Sequence, residues 1–203
     1  MKKKRGTESM SKRCGWVTED QIYLDYHDKE WGRPLYNDQK LFALLCLEGT
    51  QAGLSWLTVL KKREAYMVAF DGFDPEIISQ YDDEKIRNLL TDKTIIRNEL
   101  KIKAVVTNAQ AYLRIKEDGM TFADYLWSFV DGRPVQNSWH SLSEVPAQTE
   151  QSRSMARQLK KDGFKFVGPT ICYAFMQASG MVNDHVTECF CYDEIREGDE
   201  LDE

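Results

Sequence analysis

Glu48 is the only charge in the run Leu41-Phe42-Ala43-Leu44-Leu45-Cys46-Leu47-Glu48-Gly49. Leu41, Leu44, Leu45 and Glu48 stand at i, i+3, i+4 and i+7, so a helix places this carboxylate on its inward, apolar stripe. Burial disfavours the ionised form, and the negative end of the helix dipole adds about 0.3 to 1 kcal/mol of repulsion in the last turn. A carboxylate held there calls for a partner or a cationic ligand. Directly after it, in Gly49-Thr50-Gln51-Ala52-Gly53-Leu54-Ser55-Trp56, two glycines permit close backbone approach while Leu54 and Trp56 offer large apolar surfaces. An anion beside an aromatic plate and a glycine loop predicts a pocket for a flat, electron-poor group.

A second group of residues suits a metal. Cys14 and His27 lie near one end of the chain, and His185 and Cys189 near the other, spaced i and i+4 so that one helical turn presents both. Together they make a Cys2His2 set of the kind that binds tetrahedral zinc, although neither pair is specific alone and Cys191 competes as a ligand. Four protein ligands leave no open position, so the ion's role would be structural. The five cysteines are an odd number and point to packing or metal rather than disulfides, with Cys46 and Cys172 read as core.

A third pattern is basic. Arg153, Arg157, Lys160 and Lys161 follow i, i+4, i+7 and i+8 and lead into Gly163-Phe164-Lys165-Phe166-Val167-Gly168-Pro169. Helix, glycine turn and a helix opened by proline form a hairpin that offers backbone N–H groups and a helix N-terminus to an anion, phosphate being the natural one. The same residues also fit a solvated basic helix with an ordinary turn.

The elements that must position these groups read as helical throughout, with no sustained strand alternation, so the expected class is all-α. A capping box at Thr18 and Gln21 predicts a helix to about Trp31, and Asn37 or Asp38 caps the Glu48 helix. Ser55 starts a helix through Phe70, and short helices follow near residues 75–80 and 83–90. One long helix spans about 95–116, another 121–130, residues 133–148 form the longest loop, and helices to Lys161 and over 169–179 complete the pattern. The net charge of −6 argues against a globally basic nucleic-acid surface, yet it is unevenly placed, with a basic stretch at the start and seven acids against Arg196 after residue 192. The reading is a basic disordered tail over 1–12, one helical domain over 13–192, and an acidic disordered tail over 193–203. With apolar runs far shorter than the ~18 residues of a membrane span and no signal segment, a cytoplasmic monomer is expected.

The hairpin and the segment Met181-Val182-Asn183-Asp184-His185-Val186 resemble the helix-hairpin-helix DNA glycosylases, with Asn183 standing where that superfamily carries a catalytic Asp and Thr170 where its lyase members carry a Schiff-base lysine. Cys-Gly-Trp at 14–16, Tyr-His-Asp at 26–28, Glu-Trp-Gly at 30–32, residues 47–56 and Gly-Phe-Lys-Phe-Val-Gly at 163–168 closely resemble the 3-methyladenine DNA glycosylase I family, over about residues 12–192. The resemblance implies a helix-hairpin-helix fold acting on double-stranded DNA by flipping out and hydrolysing off 3-methyladenine, without lyase activity. It assigns Glu48 to the amine and N7 edge of the base, Trp56 to stacking and Tyr26 to a neighbouring hydrogen bond. Trp16 and Trp31 are further candidate walls, whereas Tyr23 is read as core or helix surface. Gln51, Gly53 and Leu54 are expected to enter the space the base leaves, with Leu54 as wedge or as a staple for the next helix; Gly163, Lys165 and Gly168 meet the DNA backbone. The resemblance also implies a structural zinc clasp of Cys14, His27, His185 and Cys189. A lesion-binding module that does not cut is the alternative reading.

Overall fold

The computed structural model describes residues 12–200, with side chains through residue 198; residues 1–11 of the expected 1–12 basic tail and 201–203 of the expected acidic tail lie outside the described residues. The first helix, α1 (Gln21–Lys29), has Asp20 as its N-cap, which makes Gln21 the first helical residue rather than the third. The capping box expected from Thr18 therefore does not form. At most of the other helix starts a side chain accepts from the exposed N–H groups. Asn37 accepts from Lys40 to open α2 (Asp38–Gln51), and Ser55 accepts from Thr58 to open α3 (Trp56–Leu60). The single helix expected to run to Phe70 is broken: the Lys62 N–H turns to Val59 O, three residues back, and α4 (Arg63–Ala69) starts afresh.

Asp74 caps α5 (Pro75–Ile78), Asp82 caps α6 (Asp83–Thr91), and Asn98 caps the long α7 (Glu99–Glu117), which begins later than its apolar pattern suggests. Then come α8 (Phe122–Trp127), a tighter turn over Ser128–Val130, and α9 (Glu150–Lys161), opened by a reciprocal Thr149–Ser152 capping box. The last two helices are α10 (Pro169–Ala178) and α11 (Phe190–Glu200). The all-α expectation needs one correction. Val135–Gln136 (β1) pairs in parallel with Val182–Asn183 (β2), so the long loop is pinned beside the segment that follows α10.

Helix α2 runs through the middle, packed on α3, α7, α8 and α10. Its Leu41, Phe42 and Leu45 are fully buried, each stabilising the fold by roughly 1.5–3 kcal/mol, and this fixes the rotation that turns Glu48 inward. Near the chain ends, Phe190 N–H donates to Lys12 O, which ties the start of the described chain to the turn before α11. The acidic segment expected to be disordered continues α11 to Glu200, because Cys191, Tyr192 and Ile195 bury one face of it. No helix among the described residues is long and apolar enough to cross a membrane.

Candidate functional site

Three helices each turn a pair of residues, three apart, into one cavity of about 200 Å³. Helix α1 supplies Tyr23 and Tyr26, α2 supplies Glu48 and Gln51, and α10 supplies Ala174 and Gln177. Trp16, Trp31 and Trp56 complete the aromatic side, and Leu142, Val145 and Asp184 the other. The rings pack in two groups: Trp16 lies 5.0 Å from Tyr23 and 5.1 Å from Trp31, and Tyr26 lies 5.5 Å from Trp56 between centroids.

Glu48 is 3% exposed, and burial pushes its carboxyl up to about 8. Burial, then the Glu48 charge, raises both tyrosine hydroxyls, Tyr26 the more. Among the described residues, two buried side-chain polar atoms have no hydrogen-bond partner, Glu48 Oε2 and Trp56 Nε1. An orphaned acceptor and an orphaned donor in one aromatic cavity match a planar ligand that carries both complementary groups, since such atoms otherwise cost about 1–3 kcal/mol each. The pocket thus brings together Glu48, Tyr26, Trp56, Trp16 and Trp31. It also takes in Tyr23, which sequence reasoning left in the core or on the helix surface.

Asp184 is the larger omission. Its carboxylate is 1% exposed and accepts from Asn137 Nδ2 (2.7 Å), Trp139 Nε1 (2.8 Å), Tyr173 OH (2.6 Å) and Gln177 Nε2 (2.8 Å). Its neighbour Asn183, the position singled out by the superfamily comparison, lies outside the cavity lining; its Nδ2 donates to Gln136 Oε1 and Tyr192 O. The signal was present in the sequence as three successive polar residues, Asn183-Asp184-His185, inside an apolar segment.

Beside the cavity, the loop after α2 places Gly53 at φ +79° and leaves Leu54 42% exposed at its tip, while Gln51 remains in the wall. The α9–α10 turn holds Gly163 at φ +99° and Phe166, a non-glycine residue, at φ +56°. Lys165 is exposed between them, Gly168 is the N-cap of α10, and Thr170 is exposed in its first turn. Half of the basic stripe is engaged within its own helix, because Arg153 and Arg157 both pair with Glu150. Such exposed pairs contribute little stability, but they reduce the field the stripe presents.

The four candidate metal ligands converge. One ligand atom from each of Cys14, His27, His185 and Cys189 lies within 4.8 Å of all the others, and all four residues are buried. His185 Nδ1 is 3.4 Å from Cys14 Sγ and 3.5 Å from Cys189 Sγ, and His27 Nε2 is 3.5 Å from Cys189 Sγ. Tetrahedral zinc, with bonds of about 2.3 Å to sulfur and 2.0 Å to nitrogen, spaces its ligand atoms by about 3.5 Å, so the donor set fits. The second nitrogen of each ring is also held: His27 Nδ1 lies 2.8 Å from Asp28 Oδ1, and His185 Nε2 3.1 Å from Trp31 O. Those contacts put the ring protons outward and the lone pairs inward. Arg13 grips Asp28 with two nitrogens and holds its carboxyl below the usual range. Gly32 belongs to the same construction, since its φ is +80° and a Cβ there would come within 2.9 Å of His185 Nε2. Cys191 groups instead with His27 and Asp28.

The family profile described as methyladenine glycosylase matches residues 16–192. DNA-3-methyladenine glycosylase 1 of Escherichia coli (strain K12) is 52% identical over 180 residues, which is 89% of this chain and 96% of that protein. A crystal structure of 3-methyladenine DNA glycosylase I superposes with a TM-score of 0.88 at 52% identity, covering 89% of this chain and 100% of the other. The Staphylococcus aureus 3-methyladenine DNA glycosylase I, whose structure describes 3-methyladenine recognition, superposes at 0.85 with 40% identity, over 88% and 95% of the two chains.

Proposed function

The chain belongs to the methyladenine glycosylase family, and from that premise we infer that its aromatic cavity receives an alkylated adenine turned out of duplex DNA while the bond to the sugar is hydrolysed. The protein is a DNA glycosylase that removes 3-methyladenine. The observation that carries the assignment to this cavity is the pair of orphaned atoms, Glu48 Oε2 and Trp56 Nε1, among aromatic faces.

Methylation at N3 gives adenine a formal positive charge while it is still attached to the sugar, and that charge already weakens the glycosidic bond. Protonating the leaving base is therefore largely unnecessary. The protein has to extract the base, at a cost of a few kcal/mol that is least for a damaged pair, and then hold it. Glu48 accepts from the base edge, and the arriving cation restores the ionised carboxylate that burial alone disfavours. Trp56 and Tyr26 present ring faces, each cation–π contact being worth about 0.5–2 kcal/mol. Asp184 adds a fixed negative charge to the wall. Four donors occupy its lone pairs, so it acts as an anchored anion rather than a base.

The oxocarbenium-like sugar is attacked by water from the face opposite the base. With Thr170 in the first turn of α10, no lysine attack and no strand cleavage are expected. The Gln51–Leu54 loop fills the vacated space, and Gly163, Lys165 and Gly168 meet the phosphates, on a monomeric protein. Cys14, His27, His185 and Cys189 hold a structural zinc ion, which supplies a cross-link between the two ends of the domain. Incubating purified protein with methylated duplex tests the reading: free 3-methyladenine and alkali-labile but uncut strands are expected. Tight lesion binding with no base released would support the non-cutting alternative.

A further inference from the structure

Helix α7 lies behind both segments assigned to DNA: Lys101 reaches the first, and Asn108 reaches the second together with Arg114, whose guanidinium donates to Asp162 O. Lys101 Nζ donates to Thr50 O (2.8 Å) and Ala52 O (2.6 Å), capping the carbonyl end of α2 where the chain leaves for Leu54. Two turns further along the same face, Asn108 is 3% exposed and satisfies both backbone groups of one residue in the α9–α10 turn. Its Oδ1 accepts from Lys165 N–H (2.7 Å) and its Nδ2 donates to Lys165 O (3.3 Å). The two segments also meet directly at Gly49. A Cβ there would lie 3.1 Å from Phe166 Cβ and 3.3 Å from Phe166 O, so the turn sits against the backbone that follows Glu48.

We propose that Lys101 and Asn108 are positioning residues that act as a bracket, holding the Leu54 loop and the Lys165 turn at a fixed separation so that gripping the backbone and expelling the base are one event. The idea rests on the wedge role given to Leu54. Neither side chain lines the base cavity, so neither should affect how a detached base is held. A backbone grip and a wedge that drift apart by an ångström lose alignment with the duplex, and misplacement on that scale reduces rates by up to about 100-fold.

The test uses Lys101→Met, Asn108→Ala, Lys101→Arg and Leu54→Ala in the full chain, reading single-turnover excision from methylated duplex, affinity for free 3-methyladenine, and melting temperature. Lys101→Met and Asn108→Ala should slow excision by at least about tenfold while free-base affinity stays within about twofold, and Lys101→Arg should recover most of the rate. Native excision by both bracket variants, with Leu54→Ala impaired, would overturn the bracket alone. Native excision by Leu54→Ala would remove the wedge reading on which it rests. Free-base affinity and melting temperature falling together with rate would reduce Lys101 and Asn108 to general stability.

Discussion

A single carboxyl group carries opposing demands at the scale of the residue. Buried Glu48 titrates near 8 rather than at its ordinary 4.5, so ionising it inside the folded protein costs on the order of 5 kcal/mol. Because the folded value is the higher one, its contribution to stability is complete below about pH 4.5, declines as pH rises, and is lost above about 8. Glu48→Gln removes this dependence. The variant's melting temperature should exceed the native one at pH 8–9 and converge with it near pH 5, as differential scanning calorimetry would record; a difference that does not change with pH would place the carboxyl in a solvated setting. Asp184 is held by hydrogen bonds instead, with four donors on its two oxygens. Asp184→Asn turns an amide toward donors and should cost about 1–3 kcal/mol in denaturant unfolding. Native stability in that variant would mean the four donors find other acceptors. Glu48 was legible in the sequence from one charge on an apolar stripe. Asp184 left only a polar run in the sequence, because the donors that hold it are brought in by the 133–148 loop and by α10.

At the scale of the element, caps and stops were the readable features and continuity was not. Asn37 and Ser55 begin helices as their side chains dictate, and these two starts place Glu48 and Trp56 on opposite sides of one short loop. The apolar pattern over 56–70 is continuous, yet a carbonyl three residues back captures the Lys62 N–H and splits the helix, a choice of hydrogen bond that periodicity does not encode. The two-residue β1–β2 pairing escaped detection for a related reason: it is too short to show alternation and arises from tertiary proximity. The proposed clasp also belongs to this scale. Its four candidate ligands come from the segment before α1, from α1 itself, and from the turn before α11, so a bound ion would add a cross-link to pieces already joined by Phe190 N–H to Lys12 O and Arg13 to Asp28. Cys14→Ala should lose the zinc and lower the melting temperature by at least about 5 °C, with metal content measured by atomic spectroscopy on the same sample. An unchanged melting curve with one equivalent of zinc retained would move the ligand role to another residue.

For the whole molecule, charge is the informative quantity. A chain of net charge −6 that acts on DNA cannot depend on a general attraction, and two of the cations in its most basic helix are tied to Glu150. Few phosphate contacts are therefore expected, with the dependence of DNA affinity on salt correspondingly shallow. Lys165→Ala should weaken binding about equally for any duplex and reduce the slope of log affinity against log salt by about 1; an unchanged slope would place Lys165 away from the phosphates. The family was legible from the motifs, whereas the acidic end was not. It reads as a solvated tail, but the apolar spacing of Cys191, Tyr192 and Ile195 draws it into α11. In the proposed function, fold, clasp and hairpin together serve one encounter, between an enclosed carboxylate and a base made cationic by methylation. The most direct measurement is single-turnover release of 3-methyladenine from saturated duplex by Glu48→Gln beside the native protein, with zinc content and melting checked on both. Release slower by at least about tenfold in an intact, zinc-loaded variant is the predicted result; release at the native rate would contradict the account.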